Sequence, residues 1–224
     1  MTEAWLLVEG SDDWHVVCQL CRMFGVPNNA FSLKERGEGG VDELLRRIPV
    51  YLKSSELQVL GIVADANTSL HSRWQSIHGK LKGAGYEDMP MTPKPGGTII
   101  SQTGRPDVGV WIWPDNVGSG ILEDFVISLA SADDSRLLRM ASDAVDQIPI
   151  SERRFPETQR SKAVVHTYLA WQKTPGSPMG LALRQGYLDA HGPLAFSFIR
   201  WLGRLFDFAV ELGCVDEVAS TREE

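Results

Sequence analysis

Cysteine is scarce in this chain, with three in 224 residues, and positive charge is outnumbered. Cys18 and Cys21 form a Cys-x-x-Cys pair that falls well inside an expected helix, on the face shared with Val17 and Leu20. A redox pair needs its first cysteine exposed at a helix N-terminus, and a structural zinc site needs a second ligand pair that Cys214 alone cannot supply. Packing is therefore the expected role of both. The five histidines, at 15, 71, 78, 166 and 191, show no metal-ligand spacing either. With 22 Lys and Arg against 29 Asp and Glu, the formal charge is -7, which argues against autonomous non-specific binding to a polyanion. No apolar run approaches the roughly 18 residues of a membrane span, and no basic segment leads into a signal-type apolar core, so the expectation is a cytoplasmic protein without a membrane partner. The Gly-x-x-x-x-Gly-Lys-Ser/Thr phosphate loop is also missing; the glycine cluster at Gly37, Gly39 and Gly40 does not supply it.

What is present is a repeated motif in which an apolar strand finishes on an acid. Ala4 to Val8 runs into Glu9-Gly10-Ser11-Asp12-Asp13, where a glycine turn and a helix start are expected. Val59 to Ala64 runs into Asp65-Ala66-Asn67, and Val108 to Trp113 runs into Pro114-Asp115-Asn116, with Glu123-Asp124 shortly after. In open α/β sheets ligands bind outside the carboxyl ends of the strands, so these acids are aimed at the functional crevice.

The periodicity between them predicts helices over 12–24, around Val41 to Ile48, over 69–82 and from Ile121, with a short strand at 30–34. That βαβαβα order implies a mostly parallel sheet flanked by helices. Residues 85–107, with Pro90, Pro93 and Pro95, interrupt it and read as a hairpin or irregular strand around Thr98-Ile99-Ile100 whose loop could overhang the site. Helices are expected over 133–148 and 162–172, and a final one carries the stripe Leu194, Phe198, Trp201, Leu202, Leu205, Phe206 and Ala209. The division expected is an α/β core over 1–130, a helical layer over 131–216 in the same domain, and a tail over 217–224. Trp111 and Trp113 alternate on one strand face and should pack under that layer.

Carboxylates crowded at strand ends repel one another unless a cation holds them. Hard oxygen donors suit Mg²⁺ or Mn²⁺, which makes phosphate chemistry the natural reaction class. Glu9-Gly10-x-x-Asp13, Asp65-x-Asn67 and Glu123-Asp124 resemble the Toprim domain shared by topoisomerases, primases and OLD-type nucleases. With Trp-Ile-Trp-Pro-Asp115-Asn116 they resemble most closely a bacterial Toprim-related family of protein length. The resemblance spans residues 4–130 by motif and implies a Rossmann-like Toprim fold with a metal site. In that site Glu9 is a ligand or general base and Asp65 a principal ligand, while Asp13, Glu123 and Asp124 complete one or two metal positions. It further implies a catalytic lysine, matched at Lys162, and nucleic acid as substrate. Asp115 is a further candidate ligand. Asn67 departs from the pattern: it stands where Toprim proteins usually carry a second aspartate, which weakens the metal site or its activity. The ATPase module of OLD proteins is absent from the sequence, so a separately encoded ATPase or other protein partner is expected, and an oligomer is left open. Two other functions fit the residues, a catalytically inactive adaptor and a phosphatase for a small nucleotide. Arg46, Arg47, Arg153, Arg154 and Arg160 are candidate phosphate contacts.

Overall fold

The computed structural model describes residues 3–34 and 40–210. The 217–224 tail, the last residues of the helical layer, Cys214 and most of the glycine cluster lie outside the described residues. The described chain forms β1 (Glu3–Leu7), α1 (Ser11–Met23), β2 (Ser32–Lys34), α2 (Gly40–Tyr51), β3 (Leu57–Asp65), α3 (Leu70–Gly83), β4 (Thr98–Ile100), β5 (Asp107–Trp113) and α4 (Leu122–Ser128). Four more helices follow: α5 (Ser135–Asp146), α6 (Arg160–Ala170), α7 (Met179–Arg184) and α8 (Pro193–Phe206). The expected helices are present with small shifts at their ends, and α7 was not anticipated. Its six residues are too few for helical periodicity to stand out between Pro178 and Gly186. The last helix stops at Phe206 rather than running to Ala209, because Asp207 turns left-handed (φ 55°) and caps it.

The five strands lie in the order β2-β1-β3-β5-β4, with β1, β2, β3 and β5 parallel and β4 antiparallel to β5 at the edge. The chain therefore leaves β1 towards one edge and returns past it to β3. Right-handed crossovers then put α1 on one face and α2 and α3 on the other. Burial agrees. Leu6, Val8, Val63, Trp111 and Trp113 share a core with α1, α4, α6, α7 and α8, whereas Leu7, Leu60, Ile62, Val110 and Ile112 pack with α2 and α3. Strand alternation sorts successive residues to opposite faces, which is why β3 and β5 read as continuous apolar runs. Residues from both halves of the chain fill the first of these cores, so the helices after residue 131 cover the sheet rather than standing apart.

Trp111 and Trp113 are fully buried under that layer, with ring centroids 5.2 and 4.9 Å from Phe198. Helix α8 reaches the sheet because the cross-strand pair Gly61 and Gly109 offers no side chain beneath it. A Cβ on Gly109 would lie 2.3 Å from the Leu205 Cδ2, and one on Gly61 3.1 Å from the Phe206 ring. Gly109→Ala is expected to cost about 1–3 kcal/mol by overpacking, read as a lower urea midpoint with an unchanged slope.

The segment 85–97 supplies no residue to the lining of the acidic cleft. It is held beside the end of β5 and α3, where the Pro95 carbonyl accepts from the Asn116 side chain at 3.4 Å and the Pro90 carbonyl accepts from the Trp74 indole at 3.2 Å. No helix among the described residues is long and apolar enough to cross a membrane.

Candidate functional site

Because the chain turns to opposite faces after β1 and after β3, a crevice opens between their carboxyl ends, the switch point of an open α/β sheet. Glu9 follows β1 and Asp65 ends β3, so topology alone sets them at its two lips. They meet there: the Asp65 backbone N–H donates to Glu9 Oε2 at 3.2 Å. A cleft of about 240 Å³ opens at this point, lined by Glu9, Asp13, Asp65, Glu123 and Lys162, with Asp12 at its rim.

Each acid arrives on a different element. Asp13 comes from the first turn of α1 and is buried, its Oδ1 accepting from the Trp113 indole N–H at 2.8 Å. Glu123 comes from the start of α4 and is 4% exposed. Asp65 is tied to that helix as well, since its Oδ1 accepts from the Leu122 backbone N–H at 2.8 Å. Gly10 makes room for the group rather than a sharp turn: its backbone is extended (φ -143°), but a Cβ there would sit 3.2 Å from Asp13 Oδ2.

Four carboxyl groups in a half-dry cleft do not all ionise freely. Burial, then the neighbouring Asp13, Glu9 and Glu123 charges, push Asp65 up to about 9, against a contrary pull from the Leu122 N–H. Burial likewise raises Asp13 to about 7, with Glu9 and Glu123 adding to it and the Trp113 hydrogen bond opposing it. Lys162, from the first turn of α6, supplies the cleft's positive charge: its Nζ lies 3.1 Å from Glu123 and 3.8 Å from Asp12. Burial alone would lower its pKa, but the Glu123 charge and hydrogen bond outweigh this and hold it above its ordinary value.

These shifts fix a pH dependence. Both carboxyl groups bind protons more tightly folded than unfolded, so their effect is to make the fold most stable at acid pH. That advantage is lost as pH rises from the ordinary carboxyl range through about 7 and about 9. The midpoint of urea unfolding is expected to fall steadily between pH 5 and 9, and Asp65→Asn should flatten the upper part of that slope.

The other acids singled out by sequence do not line the cleft. Asp115 folds back on its own turn, accepting from the Val117 and Gly118 N–H groups at 2.9 and 2.8 Å. Asp124 caps α4 by accepting from the Ile121 N–H at 2.8 Å and also takes the Ser161 hydroxyl. Asn67 is left-handed (φ 53°), a conformation asparagine tolerates, and its backbone exchanges two hydrogen bonds with Gly120 that hold α4 against the end of β3. Each of the three thus has a local partner that accounts for it. Four of the five candidate arginines are similarly engaged: Arg47 pairs with Glu43 at 2.6 Å and Arg46 pairs with the same carboxylate, Arg153 pairs with Glu157 at 2.8 Å, and Arg160 pairs with Asp146 at 2.6 Å.

Sequence reasoning missed Trp113 as the donor that orients Asp13, and Asp12 as the second partner of Lys162. No local pattern signals either, because the Trp113 to Asp13 bond joins residues 100 apart. Cys21 packs against the core and burial pushes its thiol up to about 12, in keeping with an unreactive role.

Among the described residues, no three His, Cys, Asp or Glu side chains stand together so as to hold an ion between them. The side-chain oxygen donors at the crevice are nonetheless carboxylates, joined by the Ser11 hydroxyl. Mg²⁺ usually keeps several waters and takes only one or two protein carboxylates, with substrate phosphate oxygens completing its shell. Glu9 and Asp65 both present carboxyl groups to the cleft.

Fold and cleft together define an α/β protein with one mostly parallel sheet and a carboxylate-lined crevice at its switch point. Over residues 3–207 the chain matches the family described as "Protein of unknown function (DUF3226)", and it belongs to that family. No curated protein and no solved structure matches it.

Proposed function

We propose that this protein is a Mg²⁺- or Mn²⁺-dependent enzyme of Toprim type that cleaves phosphate esters of nucleic acid in the cytoplasm, working with a separately encoded protein partner. The observation that carries the reading is the meeting of Glu9 and Asp65 at the switch-point crevice, with Lys162 and two further acids around them. Bound between Glu9 and Asp65, a divalent ion would polarise a phosphoryl oxygen. Glu9, partly exposed in the cleft, would serve that ion as a ligand or take the proton of an attacking water as general base. Lys162 offers its ammonium to phosphate oxygens from the α6 side of the cleft. The raised proton affinity of Asp13 and Asp65 supports the reading, because groups that hold a proton through burial and the crowding of negative charge are those a cation would displace it from.

The test is hydrolysis of single- and double-stranded DNA and RNA, and of mononucleotides, with Mg²⁺ and with Mn²⁺, beside calorimetric titration of the metal alone. Cation-dependent cleavage of polymer supports the proposal, and activity confined to mononucleotides makes the protein a small-nucleotide phosphatase. A second reading is favoured by Lys162, which already neutralises Glu123 and Asp12 from within the chain. If no divalent ion binds, the protein is a catalytically inactive adaptor on the same scaffold.

A further inference from the structure

A second depression, of about 280 Å³, lies between α1 and α7, and its charge is opposite to that of the cleft. Arg22 and Arg184 line it with His15, Trp14 and Cys18, and no carboxylate does. Both arginines are exposed, and neither forms an ion pair with a described residue, unlike Arg46, Arg47, Arg153 and Arg160. Both arginines sit in the last turn of their helices, α1 and α7, and together they make a local cationic depression on a chain of net charge -7. Its depth comes from Gly180, where a Cβ would lie 2.8 Å from the His15 carbonyl oxygen, so that α7 seats directly on α1. Trp14, half-buried with its ring edge-on to His15 at 5.0 Å, gives the depression an aromatic wall.

The groove and the cleft are built on the same helix: Asp12 and Asp13 in the first turn of α1 line the cleft, Trp14 and His15 line the groove, and Arg22 lies about 10 Å beyond His15 along the helix. We infer that the α1–α7 groove binds single-stranded nucleic acid, with Arg22 and Arg184 meeting backbone phosphates and Trp14 stacking on a base. The inference deepens the proposed nuclease function and rests on it for the choice of polymer. Cations interleaved with an aromatic ring are what sequence-tolerant single-strand binding uses, whereas an acidic peptide would need the cations and leave Trp14 idle. The arrangement also answers how an acidic protein holds a polyanion: the attraction is supplied beside the acids rather than among them.

The experiment is fluorescence anisotropy of a labelled oligothymidylate in EDTA, run on the full chain and on the Arg22→Gln/Arg184→Gln and Trp14→Leu variants, with polyglutamate as competitor. The double variant is expected to bind at least tenfold more weakly and to lose about 1.4 from the salt slope, as two fewer phosphate contacts require. Trp14→Leu should weaken binding while leaving that slope unchanged. Unaltered binding in the double variant overturns the inference even if the protein cleaves DNA, and so does competition by polyglutamate as strong as by oligonucleotide. Charge-dependent binding without any cation-dependent cleavage leaves the groove in place and removes the catalytic reading.

Discussion

Glu9→Gln is expected to lower cation-dependent cleavage by about a hundredfold to ten-thousandfold, the range that loss of a general base spans. The amide keeps an oxygen for the Asp65 N–H, so the β1 and β3 ends stay joined and only the charge and basicity are lost. The substitution should also be felt by its neighbours. Glu9's charge is among the causes that raise Asp13 and Asp65, so both carboxyl groups should titrate lower in the variant. Single-turnover cleavage checks the first effect and carbon-detected NMR titration of the aspartates the second. Full activity in Glu9→Gln would move the chemistry elsewhere in the molecule. Unmoved aspartate titrations would show that the acids do not share a cleft.

Trp113→Ala should be the most destabilising single change at the site, by about 3–5 kcal/mol, as for a large aromatic removed from a packed core. The ring is fully buried, lies 4.5 Å from Phe125 and 4.9 Å from Phe198 between centroids, and fills the space between β5 and the helical layer. Trp113→Phe isolates the polar part of that effect. It keeps most of the packing but leaves Asp13 Oδ1 without its donor, at about 1.5–3 kcal/mol when the carboxyl is ionised. Since the indole N–H favours the ionised form, its loss should raise the Asp13 pKa beyond about 7. The stability gap between wild type and Trp113→Phe should then be wider at pH 8 than at pH 5, read from urea unfolding at the two values. An equal gap at both would show that the hydrogen bond does not discriminate between the protonation states.

Trp113 also shows why part of the site could not be read along the chain. Its place on β5, its burial and its face followed from the alternation of Val110, Trp111, Ile112 and Trp113 beside the stripe of α8. Its bond to Asp13 did not, because nothing near either residue reports the other. Asp115, Asp124 and Asn67 teach the converse. All three carry oxygen donors near strand ends, the pattern that drew attention to Glu9 and Asp65. Yet an Asx turn, a helix cap and a left-handed backbone bridge are equally good uses of those side chains. Which use prevails depends on the path the backbone takes over the next few residues.

By itself the amino-acid order determined the class of architecture and every strand and α-helix but the six-residue α7. Apolar period and strand-ending acids are local properties, and three right-handed crossovers between successive parallel strands leave few ways to arrange the sheet. Only the tertiary structure decided which acids keep company. Glu9 meets Asp65 across 56 residues, Asp65 meets Leu122 across 57, and Lys162 reaches back to Glu123 and Asp12. Strand order set those meetings, and electrostatics at that range acts only once folding has brought the charges into the same low-dielectric cleft.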